Sequence, residues 1–278
     1  MSTRQTITAR AGAHGILLFF SCLALMPIVL IVMNAFKSRA AIFNTPLAMP
    51  TGQTLSLDGF RDVLLESNFM TYFANSMIVT VTALAGTILF GAMASFALSE
   101  YRFRLNSAIG LFFVAGLMIP IRLGTIGILD LMVRADLVNT RSALILVYIA
   151  QGLPVAIFVL TEFMRSLSGD LKNAARVDGM SEYAIFFWLV LPLLRPAMVS
   201  VAVFTMIPMW NDLWFPLILA PSEETKTITL GSQVFLGQYV TDWNAVLSAL
   251  TLSIVPILAL YLVFSKGLIR GITAGGVK

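Results

Sequence analysis

The chain has 278 residues, of which 58% are hydrophobic and only 12% charged, with a mean hydropathy of +0.90. Soluble domains carry roughly 45–50% apolar and about 25% charged residues, so this composition excludes an ordinary soluble fold and calls for a bilayer. The net charge of +4 does not indicate a nucleic-acid partner, because the basic residues flank apolar runs and form no stripe.

Met1 to Ala13 is polar, with Arg4 and Arg10, and precedes an uncharged run from Gly15 to Phe36. That run outlasts the apolar core of a secretory signal, about 7–15 residues, and is long enough to span. Cys22 and His14 are each alone of their kind. They therefore read as packing or interfacial residues, with no disulfide, metal site or catalytic constellation to be built from them. A membrane helix needs about 20 apolar residues, and six segments approach that length: 15–36, 75–98, 107–128, 142–161, 197–219 and 245–265. The prediction is an all-α integral membrane protein, with residues 1–14 as one terminus, a six-helix domain over 15–266 and a tail over 267–278. Six crossings leave both ends on one side. Eleven of the 18 Lys and Arg residues fall on the set of polar segments that includes both termini, Arg102, Arg104 and the 168–196 loop. The excess of positive charge assigns that set to the cytoplasm.

Between the first two spans, Pro46, Pro50 and Gly52 predict an extended stretch, and Leu57 to Leu65 predicts a short amphipathic helix at the outer surface. The second span carries Ala83, Thr87, Gly91, Ser95 and Ser99 at intervals of four, a seam of small residues that lets another helix approach closely. Past Pro120, Arg122 either snorkels to the headgroups or faces a water-filled cavity and contacts substrate. Asp130 and Arg134 stand four apart and can pair on one helix face. The fifth span holds Trp210, Asn211, Asp212 and Trp214. An acid within an apolar run must face the bundle interior or a cavity. Aromatic rings beside an amide and a carboxylate suit a sugar, while an interfacial aromatic belt is the other reading of the two tryptophans. Arg122, Trp210, Asn211, Asp212 and Trp214 are thus the candidate substrate pathway.

The stretch 168–196 is charged and Gly-punctuated between apolar runs. Leu171, Ala174 and Ala175 share a face of a short helix, Asp178-Gly179 breaks it, and Ser181 can cap a second helix. Ala184, Phe187, Trp188 and Leu191 form an apolar stripe predicted to bury, Pro192 is expected to stop that helix, and Pro196 to open the next. Two helices at an angle make a knuckle able to tilt its neighbours; a solvated loop is the alternative.

These residues resemble a known family. Asn173-Ala174-Ala175, a three-residue spacer, Gly179 and Leu191-Pro192-Leu193 are similar to the EAA loop of ABC importer permeases. The departure is Asn173, which stands where the family has a glutamate and still accepts hydrogen bonds. Asn75-Ser76 also resembles the family pattern, the Trp210-Asn211-Asp212 stretch and the tail from Gly267 to Gly275 resemble the carbohydrate-uptake, maltose-type branch, and the W-N-[DE] likeness favours the cavity reading. The resemblance implies a type I importer permease fold with cytoplasmic coupling helices, and no enzymatic activity in this chain. It implies an ATPase-coupling surface at Asp170, Leu171, Asn173, Ala174, Ala175, Asp178, Gly179 and Pro192. No phosphate-binding motif of the G-x-x-x-x-G-K-[ST] type is present, so no cofactor is expected on this chain and ATP with Mg would be hydrolysed on partner subunits. The implied partners are a second homologous permease, two ATPase subunits, an extracytoplasmic solute-binding protein that could meet the loop 220–244, and a sugar. The rivals are the same machinery carrying a glycerol phosphate or other anionic solute, suggested by Arg122, and an ion-coupled secondary transporter, which would show paired broken spans and buried acidic sites.

Overall fold

Apolar runs of this length can satisfy their backbone hydrogen bonds in a bilayer only as helices or a closed barrel, and the computed structural model is helical throughout the long runs. The structure describes the backbone of residues 3–236 and 241–275, and the side chains of 12–236 and 241–259 within these. Ten helices carry the argument: α1 (Thr3–Ala35), α2 (Phe69–Glu100), α3 (Asn106–Met118), α4 (Thr125–Arg134), α5 (Arg141–Ser166), α6 (Gly169–Val177), α7 (Glu182–Leu193), α8 (Arg195–Trp210), α9 (Trp214–Leu219) and α10 (Trp243–Gly275). The segment 12–35 of α1, all of α2 and all of α5 are each long and apolar enough to cross a membrane. Two bent pairs, α3 with 121–134 and α7 with α8, bring the number to five, and α10 adds a shorter apolar stretch, Trp243–Ala259, within its described side chains. The tail motif Gly267 to Gly275 has its side chains outside the described residues.

The chain divides into two compact units, Met1–Met70 with Ser232–Val255, and Thr71–Gly231 with Pro256–Lys278. In the first, Lys37 is fully buried and donates to Asn34 Oδ1 at 3.0 Å and to the carbonyls of Thr45 at 2.8 Å and Pro46 at 3.3 Å. Burial holds its ammonium below the ordinary lysine range. The predicted amphipathic helix forms over Asp58–Glu66, its second half a π-turn that buries Val63 and leaves Leu65 exposed.

In the second unit the small-residue seam of α2 lies against α5. A Cβ added at Gly91 would stand 2.7 Å from that of Ala156, and Ser95 Oγ donates to the Ile157 carbonyl at 3.2 Å. Only a side chain of hydrogen allows this approach.

Two expected spans are interrupted. The helix expected over 107–128 ends at Met118 and turns by 94°, because a proline at 120 disfavours helical geometry at Ile119, which is extended (ψ 115°). The helix expected over 197–219 breaks at 211–213 between α8 and α9.

The second half of the knuckle differs from expectation in two ways. Ile185, Phe186, Val190 and Leu194 are buried, joining Phe96, Leu160 and Met164 in one core, whereas Phe187 is exposed and Trp188 is 79% exposed. Residues 185–191 are apolar on every side, so periodicity could not select a face. The local π-helix over Ile185–Val190 then set it. Nor does Pro192 end the helix. A wider π-turn precedes it and makes room for a ring that a tight α-turn would crowd, and the 72° bend comes at Leu194. As expected, Pro196 lies in the first turn of α8.

Candidate functional site

Asp212 is 8% exposed and sits where the fifth apolar run breaks. Its Oδ1 accepts from the Trp214 amide at 3.2 Å, and its Oδ2 from the Phe215 amide at 3.1 Å. The carboxylate thus satisfies orphan donors at the start of α9 and complements its dipole. Tyr148 of α5 donates its hydroxyl to Oδ2 at 3.0 Å. Arg122 Nη2 lies 3.6 Å from Oδ1, and the guanidinium stands 6.0 Å from the Trp214 ring centroid, within cation–π range. Trp214 Nε1 donates to Thr125 Oγ1 at 3.0 Å, and Thr125 donates to the Arg122 carbonyl at 2.6 Å. The two chain breaks are therefore joined to each other. The Arg122 side chain is 66% exposed and that of Asp212 7%, so the group is buried at the carboxylate and open at the guanidinium.

Arg122, Asp212 and Trp214 come together as a cluster. Asn211 is exposed beside them and donates to the Ile207 carbonyl at 3.0 Å. Trp210 does not join: it is buried, meets Phe73 edge-on, and its carbonyl accepts from Thr229 at 2.9 Å. The predicted Asp130–Arg134 pair forms at 2.9 Å. Asn75 donates to the carbonyls of Glu224 at 2.8 Å and Lys226 at 3.0 Å, and Ser76 accepts from the Ile228 amide at 2.8 Å. This pair pins the loop that follows α9.

The second site is the knuckle. Ser168 caps α6 and Ser181 caps α7. Gly179 has φ +81° between them, a left-handed conformation that suits glycine. On α6, Ala175 is buried while Asp170, Leu171, Asn173 and Ala174 are exposed, as are Val177, Asp178 and, further on, Pro192. The polar side is ionically tied. Lys172 and Arg176 both bind Glu100 at the end of α2, Arg176 at 2.7 Å. Arg176 also donates to Glu182 at 2.7 Å and to Asn173 Oδ1 at 3.0 Å, and Tyr101 donates to Glu182 at 2.8 Å. These bonds to Glu182 and Glu100 raise the Arg176 pKa above its ordinary value. Burial, then Glu182, pushes the Tyr101 phenol up to about 12.

Sequence reasoning missed Tyr148, Thr125, Glu100 and Glu182. One signal was available for Glu100: an acid closing a long apolar helix opposes the helix dipole and so needs a cation nearby.

The chain is thus a helical membrane protein with two broken spans, a polar group at the breaks and an exposed, capped helix pair between α5 and α8. The comparisons identify its family. Residues 87–274 match the family described as binding-protein-dependent transport system inner membrane component, and the chain belongs to it. It is 31% identical to the diacetylchitobiose uptake system permease protein NgcG of Streptomyces coelicolor, over 95% of this chain and 88% of that one. It is 30% identical to the arabinooligosaccharides transport system permease protein AraQ of Halalkalibacterium halodurans, over 94% and 93%. Among solved structures it superposes with TM-score 0.82 and 22% identity on a bacterial ABC transporter involved in the import of the acidic polysaccharide alginate, covering 96% of this chain and 98% of that one. The fold is that of a type I ABC importer permease. The chain is a multi-pass inner-membrane permease of a binding-protein-dependent system, not an enzyme.

Proposed function

We propose that this permease imports a neutral oligosaccharide delivered by an extracytoplasmic binding protein, by alternating access driven by ATP hydrolysis on separate subunits. Two relatives named for diacetylchitobiose and arabinooligosaccharides support the cargo class. The polar group supports it chemically: the Trp214 face can stack on a sugar ring while Asn211 and Arg122, the latter held near the buried Asp212, take hydroxyls. The carboxylate beside Arg122 matches its charge, which weakens the case for an anionic solute.

The observation that carries the mechanism is the exposed face of α6. Leu171, Ala174 and Val177 are turned to solvent on a short, capped helix, which leaves a small apolar surface free to seat in a partner ATPase. On this reading α6 and both termini lie in the cytoplasm, the permease pairs with a second homologous subunit, and two ATPase subunits hydrolyse Mg-ATP beneath them. The test is reconstitution in proteoliposomes with those partners and the binding protein. Uptake of a labelled oligosaccharide that requires ATP supports the reading. Uptake by this chain alone, driven by a proton or sodium gradient without nucleotide, overturns it.

A further inference from the structure

The helices that neighbour α6 in the chain are poorly placed to carry its movement. Leu167 and Ser168 link it to α5 in extended geometry (ψ 137° and 127°). On the other side it leaves through Asp178, the left-handed Gly179 and Met180. Neither link is helical, and α6 buries only Ala175 among its nine residues. Leu167, Ala175 and Met180 do pack against the core, but that apolar contact is small, and a push on α6 would pass through it only in part.

The ionic contacts supply the missing stiffness. Lys172 and Arg176 are four apart, on one face, and bind the two oxygens of a single carboxylate: Lys172 to Oε2 and Arg176 Nη2 to Oε1. That carboxylate belongs to Glu100, the final residue of the 32-residue helix α2. Its side chain is 12% exposed and that of Lys172 11%, so solvent screens this attraction far less than at an open surface. Arg176 turns its Nε to Glu182, the first residue of α7, and Tyr101, next to Glu100, closes the ring onto Glu182. The ends of α2, α6 and α7 therefore meet at one guanidinium. Beyond it, α2 is locked to α5 along the Gly91 and Ser95 seam.

We propose that Glu100 is a positioning residue for coupling, through which a push on α6 is delivered to α2 rather than dissipated at the hinges. This inference rests on the importer reading above. It does not require Glu100 to touch the ATPase, the nucleotide or the sugar.

The test uses the complete transporter in proteoliposomes, measuring sugar moved per ATP hydrolysed. Glu100→Gln keeps size and acceptors but removes the charge. The expected result is continued ATP hydrolysis with sugar per ATP reduced about fivefold or more, the lower end of coupling between sites. Lys172→Glu alone should uncouple similarly, and the exchanged pair Glu100→Lys with Lys172→Glu should recover most of the lost ratio. A role confined to stability would lower the amount of assembled complex and leave the ratio unchanged. If Glu100→Gln does not assemble, Lys172→Met, which leaves Arg176 on the carboxylate, is read in the same way. An unchanged ratio in assembled Glu100→Gln or Lys172→Met, or an exchanged pair that assembles and recovers nothing, overturns the proposal while the importer reading stands. Absence of ATP-dependent uptake by the parent complex overturns that reading, and this inference with it.

Discussion

Two polar groups stand within the unit that contains residues 71–231, and they are built to opposite specifications. At the knuckle, two cations and two carboxylates are interlocked by short contacts from three helix ends, with Glu100 and Lys172 nearly out of water. At the chain breaks, Asp212 is buried with Tyr148 and faces one exposed cation. Its link to Arg122 is a single 3.6 Å approach, and the arginine is open to solvent. A saturated, low-exposure network is stiff because no member can leave without stranding another. A long pair between one buried and one exposed group costs little to open. On the proposed reading, the first arrangement would transmit force and the second would give up its ion pair to a ligand.

The largest expected effect lies at the knuckle. Gly179→Pro replaces φ +81° by a ring fixed near −65°; ATP-driven uptake should be abolished while the subunit still reaches the membrane, and normal uptake would break the force-transmitting half of the comparison. Next is Asp212→Ala, which strands the Tyr148 hydroxyl and two helix-start amides. It should destabilise the purified complex by about 2–4 kcal/mol, measured by thermal unfolding in detergent, with Asp212→Asn intermediate. Arg122→Ala sharpens the contrast. Stability should change by less than about 1 kcal/mol because the group is exposed, whereas KM for uptake should rise about fivefold if a transport-state contact of roughly 1 kcal/mol is lost. Unchanged KM and rate would remove Arg122 from the substrate pathway.

The smallest effect is Tyr101→Phe, which loses one partly exposed hydrogen bond, less than about 1 kcal/mol. Its pH dependence has a definite sign. A phenol whose pKa rises from 10.0 to about 12 on folding contributes stability that is complete below pH 10.0 and is lost as pH climbs through about 12. The ratio of parent to Tyr101→Phe uptake should therefore be flat between about pH 6 and 8, and a slope there would mean that another group titrates in the knuckle.

Much of this was legible in the chain. Intervals of four small residues gave a close-packing seam on α2, because a helix nearly repeats its face at that spacing, and the structure supplied α5 as the helix that meets it. Asp178-Gly179 and Ser181 gave the elbow, because a left-handed turn and a hydroxyl cap have specific residue needs. The buried side of α7 was not legible, since seven apolar residues in a row carry no phase. Nor was the break at 211–213, where an acid within an apolar run could mean either a cavity-facing side chain or the start of a new helix.

What the sequence by itself determined is therefore local: that the chain enters a bilayer, roughly which runs are helical, and that two short capped helices joined at a glycine turn separate the apolar runs around 168–196. These follow from hydropathy and backbone chemistry, which act over a few residues. Only the tertiary structure decided that Glu100 grips Lys172 and Arg176, more than 70 residues away, and that Arg122 finds Asp212 across two chain breaks. Ion pairs of that range depend on how helices pack, and the charged residues carry nothing in their own neighbourhoods to name their partners.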